Sequence, residues 1–420
     1  MEKAHTRIFS SLRIRNYRLY AAGQVISNTG TWMQRVAQDW LVLELTHGSG
    51  TALGIATGLQ FLPLLLFSLW GGAIADRYAK RRILMTTQAI MGGLALILGV
   101  LSLTGVVQIW HVYVLAFALG LVTVVDNPTR QTFAVEMVGR ADMPNAIALN
   151  SAIFNLARIL GPAVAGVVIS LAGTPIAFVV NAGSYAAVLA GLALMRPAEL
   201  RPVEPAPRAK GQVREGLAYV KARPSLWMPM LLIFFVATFG MNFQVTTALM
   251  SREVFHTGAG AFGVASATFA AGALAGALLA ARRRRPSAGL LVVTAAIFGV
   301  LEAVTALMPG YWPFLVLLVP TGLALLTFTT AANSATQLGT APEMRGRVMG
   351  LYLLVFLGGT PLGAPLVGWV AEQFGPRVSL LAGGGVSALA AVAVAAMLSR
   401  SHRVRMRDYL RPKMLARLVA

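Results

Sequence analysis

Gly72-Ala73-Ile74-Ala75-Asp76-Arg77-Tyr78-Ala79-Lys80-Arg81-Arg82 follows directly on an apolar run, Leu53 to Trp70. A run of that kind is long enough to span a bilayer, since roughly 20 mostly apolar residues cross about 30 Å of hydrocarbon. A carboxylate and then a knot of cations therefore stand where a membrane helix meets water. Cations at a span end set orientation, because cytoplasmic loops carry the excess of Lys and Arg.

The rest of the chain follows the same pattern. Of its 420 residues, 57% are hydrophobic and 12% charged, against about 25% charged in a soluble domain. The composition is that of an integral membrane protein. A net charge of +20 would otherwise raise nucleic acid as a partner. The cations sit in short blocks between long apolar runs, which argues against it. Cysteine is absent, so disulfides and thiolate metal sites are excluded. No histidine has metal-ligand spacing, and neither metal nor cofactor is expected. The N-terminus has cations but no short apolar core with a cleavage site, so no cleaved signal peptide is read there.

Twelve candidate spans can be marked: 18–45, 52–75, 83–104, 111–135, 146–171, 175–195, 228–250, 259–281, 288–308, 312–338, 347–371 and 377–398. Alternate connections collect the cations. The N-terminus, 76–82, 136–145, 196–227, 282–287, 339–347 and the C-terminal tail hold 30 of the 35 Lys and Arg residues, and the opposite set holds only Arg252 and Arg377. By the positive-inside rule both termini are expected in the cytoplasm, with the chain multi-pass in the cytoplasmic membrane.

One long connection, 196–227, divides the chain. The expected organisation is a six-helix bundle over 1–195, a cytoplasmic linker over 196–227, a second bundle over 228–398 and a basic tail over 399–420. The tail is expected to anchor on anionic lipid, at about 1 kcal/mol per cation near the surface. The halves resemble each other at an offset of 202. Gly120-Leu121 falls on Gly322-Leu323, and Gly161, Gly166 and Gly173 fall on Gly363, Gly368 and Gly375. Parallel six-span repeats of this kind place a substrate site at their interface.

Charges occur inside the spans. Gln24, Asn28, Thr31, Arg35 and Asp39 recur three and four apart and form one stripe of the first helix. Asp126 and Arg130 share a face of the fourth. An unpaired charge at a helix centre costs about 2.5–3.5 kcal/mol, so mutual pairing around a wet cavity is expected. The alternatives are a structural ion-pair lock and a part in substrate recognition or proton coupling. The seventh span offers Asn242 and Thr246, and the tenth Thr330, Asn333, Ser334 and Gln337, as candidate cavity groups or as interhelical hydrogen bonds. Glu302 in the ninth span has no evident partner.

Several stretches carry a resemblance. They are the Gly72–Arg82 segment, Trp32-Met33-Gln34-Arg35, Asp126-Asn127-Pro128-Thr129-Arg130-Gln131, Pro144-Asn145-Ala146-Ile147-Ala148-Leu149-Asn150 and Arg345-Gly346-Arg347-Val348-Met349-Gly350-Leu351. Together they resemble the major facilitator superfamily (MFS), in particular its bacterial enterobactin-exporter and drug-efflux branch. The resemblance implies an all-α integral membrane fold of twelve transmembrane helices in two six-helix bundles related by a pseudo-two-fold axis. It makes Gly72, Asp76, Arg77, Lys80 and Arg81 a gate motif, with Asp76 facing the start of the eleventh span around Val348 and Arg77 in reach of Glu136 or Asp142. Arg158-Ile159-Leu160-Gly161-Pro162-Ala163-Val164-Ala165-Gly166 resembles the family's antiporter motif through Gly161, Pro162 and Gly166, with Ala165 where a glycine is usual. Arg158 is expected to join the charge network or bond a carbonyl. The implied fold puts the ninth span at the periphery, with Glu302 facing lipid.

The resulting expectation is a monomeric secondary transporter, not an enzyme. It would exchange protons for an amphiphilic small molecule such as a drug, antibiotic or siderophore, with Asp126–Arg130 and Asp39–Arg35 as the coupling groups. An importer of the same fold and a non-transporting receptor or scaffold are the alternatives.

Overall fold

The computed structural model describes residues 9–201, 212–281 and 287–402, and it is helical nearly throughout. Part of the 196–227 connection, the 282–286 arginine run and the tail beyond His402 lie outside the described residues. Among the described residues ten stretches are long and apolar enough to cross a membrane. Two further passes complete twelve. One is Arg15–Leu45, whose polar stripe keeps its hydropathy low. The other lies within Asp142–Ala193, whose 52 residues amount to about 78 Å at 1.5 Å per residue, more than twice the hydrocarbon thickness.

The helices are α1 (Arg15–Leu45), α2 (Gly50–Arg77), α3 (Lys80–Leu103), α4 (109–138), α5 (140–172), α6 (174–193), α7 (Pro224–Val254), α8 (Ala259–Ala281), α9 (Ala288–Ala306), α10 (Tyr311–Leu338), α11 (Arg345–Phe374) and α12 (Pro376–His402). Hydrogen bonding runs nearly unbroken from Ile109 to Ala193, and α4, α5 and α6 are separated only at Gly139 (φ 74°) and Gly173 (φ 81°). The 136–145 stretch, read from its charges as a loop, is therefore helix on both sides of one glycine. Helices extend past the hydrocarbon into water, where charged side chains cost nothing, so a charge run does not end them. Gly375, between α11 and α12, has φ 94°. It stands 202 residues after Gly173, and both positions need the left-handed backbone that glycine supplies without a Cβ clash.

Packing divides the chain into two compact units. Of the described residues, one takes those within 1–47, 59–207 and 257–267, the other those within 48–58, 208–256 and 268–420. Within each unit the same glycines make the same contacts. In the first, a Cβ on Gly161 of α5 would strike Trp32 and Met33 of α1, and a Cβ on Gly166 would strike Gly260 of α8. In the second, Gly363 of α11 lies against Thr238 of α7, and Gly368 against Gly50 and Gly54 of α2. Small residues let membrane helices approach closely enough for dispersion to hold them. The first three helices of each half repeat at a different interval. Gly54 packs on Ala364 and Pro365, and Gly263, 209 residues later, packs on Pro162 and Gly166. His47 and His256, also 209 apart, both have positive φ at the turns entering α2 and α8.

One helix breaks the correspondence. α1 is regular, whereas α7 widens to π-helical bonding at Val236–Gly240 and at Met250–Val254. Met241 N–H donates to the Val236 carbonyl at 2.9 Å and Phe255 N–H to Met250 at 2.9 Å. Glu302, expected to face lipid, is instead 2% exposed and wedged against the first of these turns. Within the 196–227 connection, a short helix, Gln212–Lys221, lies on α11 through a Glu215–Arg347 ion pair of 2.5 Å.

Gly363→Ala is expected to lower folded stability by about 1–3 kcal/mol through overpacking. Gly385→Ala, on α12 with open space around it, is expected to be neutral or to gain up to about 1 kcal/mol of helix propensity. Thermal unfolding of the detergent-solubilised variants measures both.

Candidate functional site

The polar stripe of α1 and the charged face of α4 meet within the first unit. They line a cavity of about 740 Å³, to which α1 contributes Tyr20, Gln24, Asn28, Thr31, Trp32 and Arg35, α4 Asp126 and Arg130, α5 Phe154, and α6 Tyr185. The expected pairing of Asp126 with Arg130 is present. Arg130 Nη2 and Nε donate to Asp126 Oδ2 at 2.5 and 3.0 Å, while Thr87 Oγ1 and Gln88 Nε2 of α3 donate to Oδ1 at 2.7 and 2.8 Å. The remaining guanidinium nitrogen, Nη1, donates to Gln24 and, at 3.3 Å, to Asn28. Asp126 is 1% exposed, so every lone-pair direction it has faces a donor. That satisfaction is what makes a buried ion pair tolerable away from water.

Arg35 is held differently. Its guanidinium lies over the Trp32 ring, 4.5 Å from the centroid, and 5.5 Å from that of Phe61. Its Nε is buried and has no hydrogen-bond partner. Trp32 in turn meets Phe154 edge-to-face at 5.8 Å. Thr31 and Tyr185 hydroxyls are 3.2 Å apart. The cavity wall thus combines a neutralised ion pair, amides and hydroxyls with aromatic faces and one cation over aromatic rings. Asp39 continues the α1 stripe but is buried in the helix packing and does not line the cavity.

The remaining candidates are placed as follows. Asp76 and Arg77 form the last turn of α2. Lys80, rather than Arg77, takes Glu136, at 2.5 Å, and Asp142 accepts from the Ser10 hydroxyl at 2.8 Å. Arg81 donates to the Leu192 and Ala193 carbonyls at the end of α6, at 2.7 and 3.2 Å. The cations of the Gly72–Arg82 segment thus tie α3 to α4 and α6. Gly161 and Gly166 serve close helix packing beside Pro162, and Arg158 has a buried Nη2 without a hydrogen-bond partner. In the second unit Asn242 and Thr246 are buried, with Asn242 Nδ2 donating to Thr238 O at 2.7 Å and Thr246 to Asn242 O at 3.3 Å. Thr330, Asn333 and Ser334 are half-buried on α10, and Gln337 donates to Asn333 at 2.7 Å. Thr87, Gln88 and Tyr185 were not singled out from the sequence. The one available signal was a polar run, Thr86-Thr87-Gln88, inside the third span.

Twelve membrane helices, glycine contacts repeated between two halves and a polar, aromatic-edged cavity with a buried ion pair define a transporter of the major facilitator type. Residues 6–415 match the family MFS_3, the transmembrane secretion effectors, and the chain belongs to it. Among relatives, the multidrug efflux pump Tap of Mycolicibacterium fortuitum is 29% identical over 376 residues, 87% of this chain and 90% of that protein. Macrolide efflux protein A of Streptococcus pyogenes is 22% identical, over 87% and 92%. The staphyloferrin A transporter of Staphylococcus aureus is 32% identical over 157 residues, and that match spans 37% of this chain and 39% of the transporter. Two solved structures share the fold. A bacterial homologue of the lysosomal transporter Spinster superposes with a TM-score of 0.74 at 16% identity, over 95% of this chain and 99% of that one. A bacterial homologue of ferroportin gives 0.68 at 15%, over 91% and 98%. The chain is a multi-pass secondary transporter of a small molecule.

Arg130→Met is expected to cost about 3–5 kcal/mol, because it strands the Asp126 carboxylate in a buried site. Removing both charges, as Asp126→Asn with Arg130→Gln, is expected to cost markedly less. Thermal unfolding of the purified variants distinguishes the two.

Proposed function

We propose that this transporter exports an amphiphilic small molecule, such as a drug, an antibiotic or a siderophore, from the cytoplasm in exchange for protons. The observation that carries the reading is the cavity of the first unit. Its aromatic faces accept an apolar body, and its amides, hydroxyls and Arg35 accept polar groups. The full-length relatives are named for efflux of drugs and macrolides, which supports the direction. The Lys and Arg asymmetry supports both termini in the cytoplasm. On this reading 1–195 and 228–398 are the moving halves joined by 196–227, and the basic tail rests on anionic lipid.

The proton-coupling role is assigned first to Asp126 with Arg130 and second to Asp39 with Arg35. Protonation of Asp126 would release Arg130 toward Gln24 and Asn28, altering the charge that the cavity offers a cargo. A proton or a cargo shifts the conformational equilibrium only through unequal affinity for the two states. Gln24, Asn28 and Thr31, with the polar groups of α7 and α10, are assigned to cargo. The Asp76 segment is assigned to turnover, since it lies apart from the cavity wall.

Cells producing the protein are expected to accumulate less ethidium or macrolide than cells without it, and higher accumulation would make it an importer. In inverted vesicles, Asp126→Asn is expected to abolish uptake driven by a pH gradient. Undiminished uptake would remove Asp126 from the coupling role.

A further inference from the structure

Glu302 is a buried carboxylate that the cavity of the first unit does not use. It lies four residues before the end of α9 and is 2% exposed, and its Oε2 has no hydrogen-bond partner. Its seat is built by glycines. A Cβ on Gly240, the last residue of the α7 π-turn, would fall 3.0 Å from Oε2, and a Cβ on Gly383 of α12 would fall 2.9 Å from Oε1 and 2.6 Å from the Phe239 carbonyl. The carboxyl thus fills a space between the widened turn and α12. Ser387 also reaches Gly240, but its hydroxyl donates to the Gly383 carbonyl at 2.8 Å.

The matching junction in the first unit is filled otherwise. There Asn181 of α6, 202 residues before Gly383, crowds Gly30 of α1. Its amide donates to Gln34 and accepts from Ser184 at 2.9 Å. A polar group that serves packing alone is satisfied in this way. At the second junction the amide is replaced by glycine, and an acid enters from another helix with an oxygen left over.

Among the described residues no charge compensates it. On α7 from Val236 to Thr246, on α12 from Ser379 to Leu398, on α10 after Tyr311 and on the rest of α9 there is no titratable residue. Arg377 of α12 donates to the Ala306 carbonyl at 2.9 Å, four residues further along α9. On α11, which also packs on the π-turn, Arg347 pairs with Glu215, Tyr352 donates to Thr329 O and Glu372 accepts from Ser49 and Thr51. A carboxylate is too costly to bury without a partner, and in practice such a group takes up a proton instead. π-turns inside helices recur at functional sites.

We propose that Glu302 is a proton-binding site of the second unit, loaded while the α7 π-turn is closed over it and emptied to water when that turn opens. The proton is bound to one carboxyl oxygen and leaves as hydronium, so nothing else need be exchanged.

Infrared difference spectra of the full chain in lipid nanodiscs, taken between acid and alkaline buffer, are expected to show a protonated-carboxyl C=O band that is lost on alkalinisation and shifts down in D2O. Glu302→Gln should abolish that band and Asp126→Asn should leave it. The same band in Glu302→Gln, or no titrating carboxyl band in the unmodified chain, overturns the proposal. If Glu302→Gln does not fold, Glu302→Asp should move the band and its midpoint pH, and an unmoved band overturns it. Because the chain has no cysteine, Met241→Cys reports on the turn. Its maleimide labelling should rise severalfold more between acid and alkaline pH than it does in the Glu302→Gln background. Equal rises would sever the acid from the turn.

Discussion

Lipid tails are as apolar as leucine, so membrane helices gain nothing from hydrophobic burial against one another. What holds them is close approach and interhelical hydrogen bonding, and in this protein the close approach is made by glycine. Gly161 and Gly166 bring α5 onto α1 and α8, and Gly363 and Gly368 bring α11 onto α7 and α2. Pro162, Pro361 and Pro365 stand among them, in the same helices. The stretch that resembles an antiporter signature is thus first a packing device. The two compact units owe their membership to it, because the opening turns of α8 and α2 are gathered with the helices whose glycines they touch.

The other constraint is electrostatic, and the units meet it differently. In the first unit the buried charges are organised. Asp126 is surrounded by Thr87, Gln88 and Arg130, and Lys80 closes on Glu136. Arg35 is supported by aromatic faces. Polar atoms are left over in both units. Tyr20 Oη, Arg35 Nε, Gln88 Oε1 and Arg158 Nη2 in the first, and Thr238 Oγ1, Asn242 Oδ1 and Glu302 Oε2 in the second, are buried without a hydrogen-bond partner, and those of the second lie on α7 or against it. The same helix carries both π-turns. The first unit holds a satisfied ion pair, and the second an acid seated against an irregular helix.

Much of the fold was legible in the chain. Span count, the polar character of α1 and the pairing of Asp126 with Arg130 follow from hydropathy and from spacing of three and four residues, which depend on local geometry alone. The offset of 202 was also legible, because that register superimposes span boundaries as well as glycines. The earlier interval of 209 was not, since its carriers, Gly54 with Gly263 and His47 with His256, are few and an interval change falls between them. The 136–145 loop was misread because charge reports water, not the end of a helix. The resemblance put Arg77 in reach of Glu136 or Asp142, whereas Lys80, at the start of α3, is the residue that pairs with Glu136.

By itself the sequence determined that this is a twelve-span membrane protein of the major facilitator type. Hydrophobic length, the placement of Lys and Arg and helical periodicity are each enforced by the bilayer on any chain that crosses it. Tertiary structure alone decided which polar groups are spent and which are not. Asp126 and Glu302 are both acids in apolar spans and look alike as letters. One is met by four donor atoms from two helices, and the other is seated by Gly240 and Gly383 with an oxygen unclaimed. The difference arises from residues far apart in the chain, because a hydrogen bond needs a partner within about 3 Å and only packing supplies or withholds one.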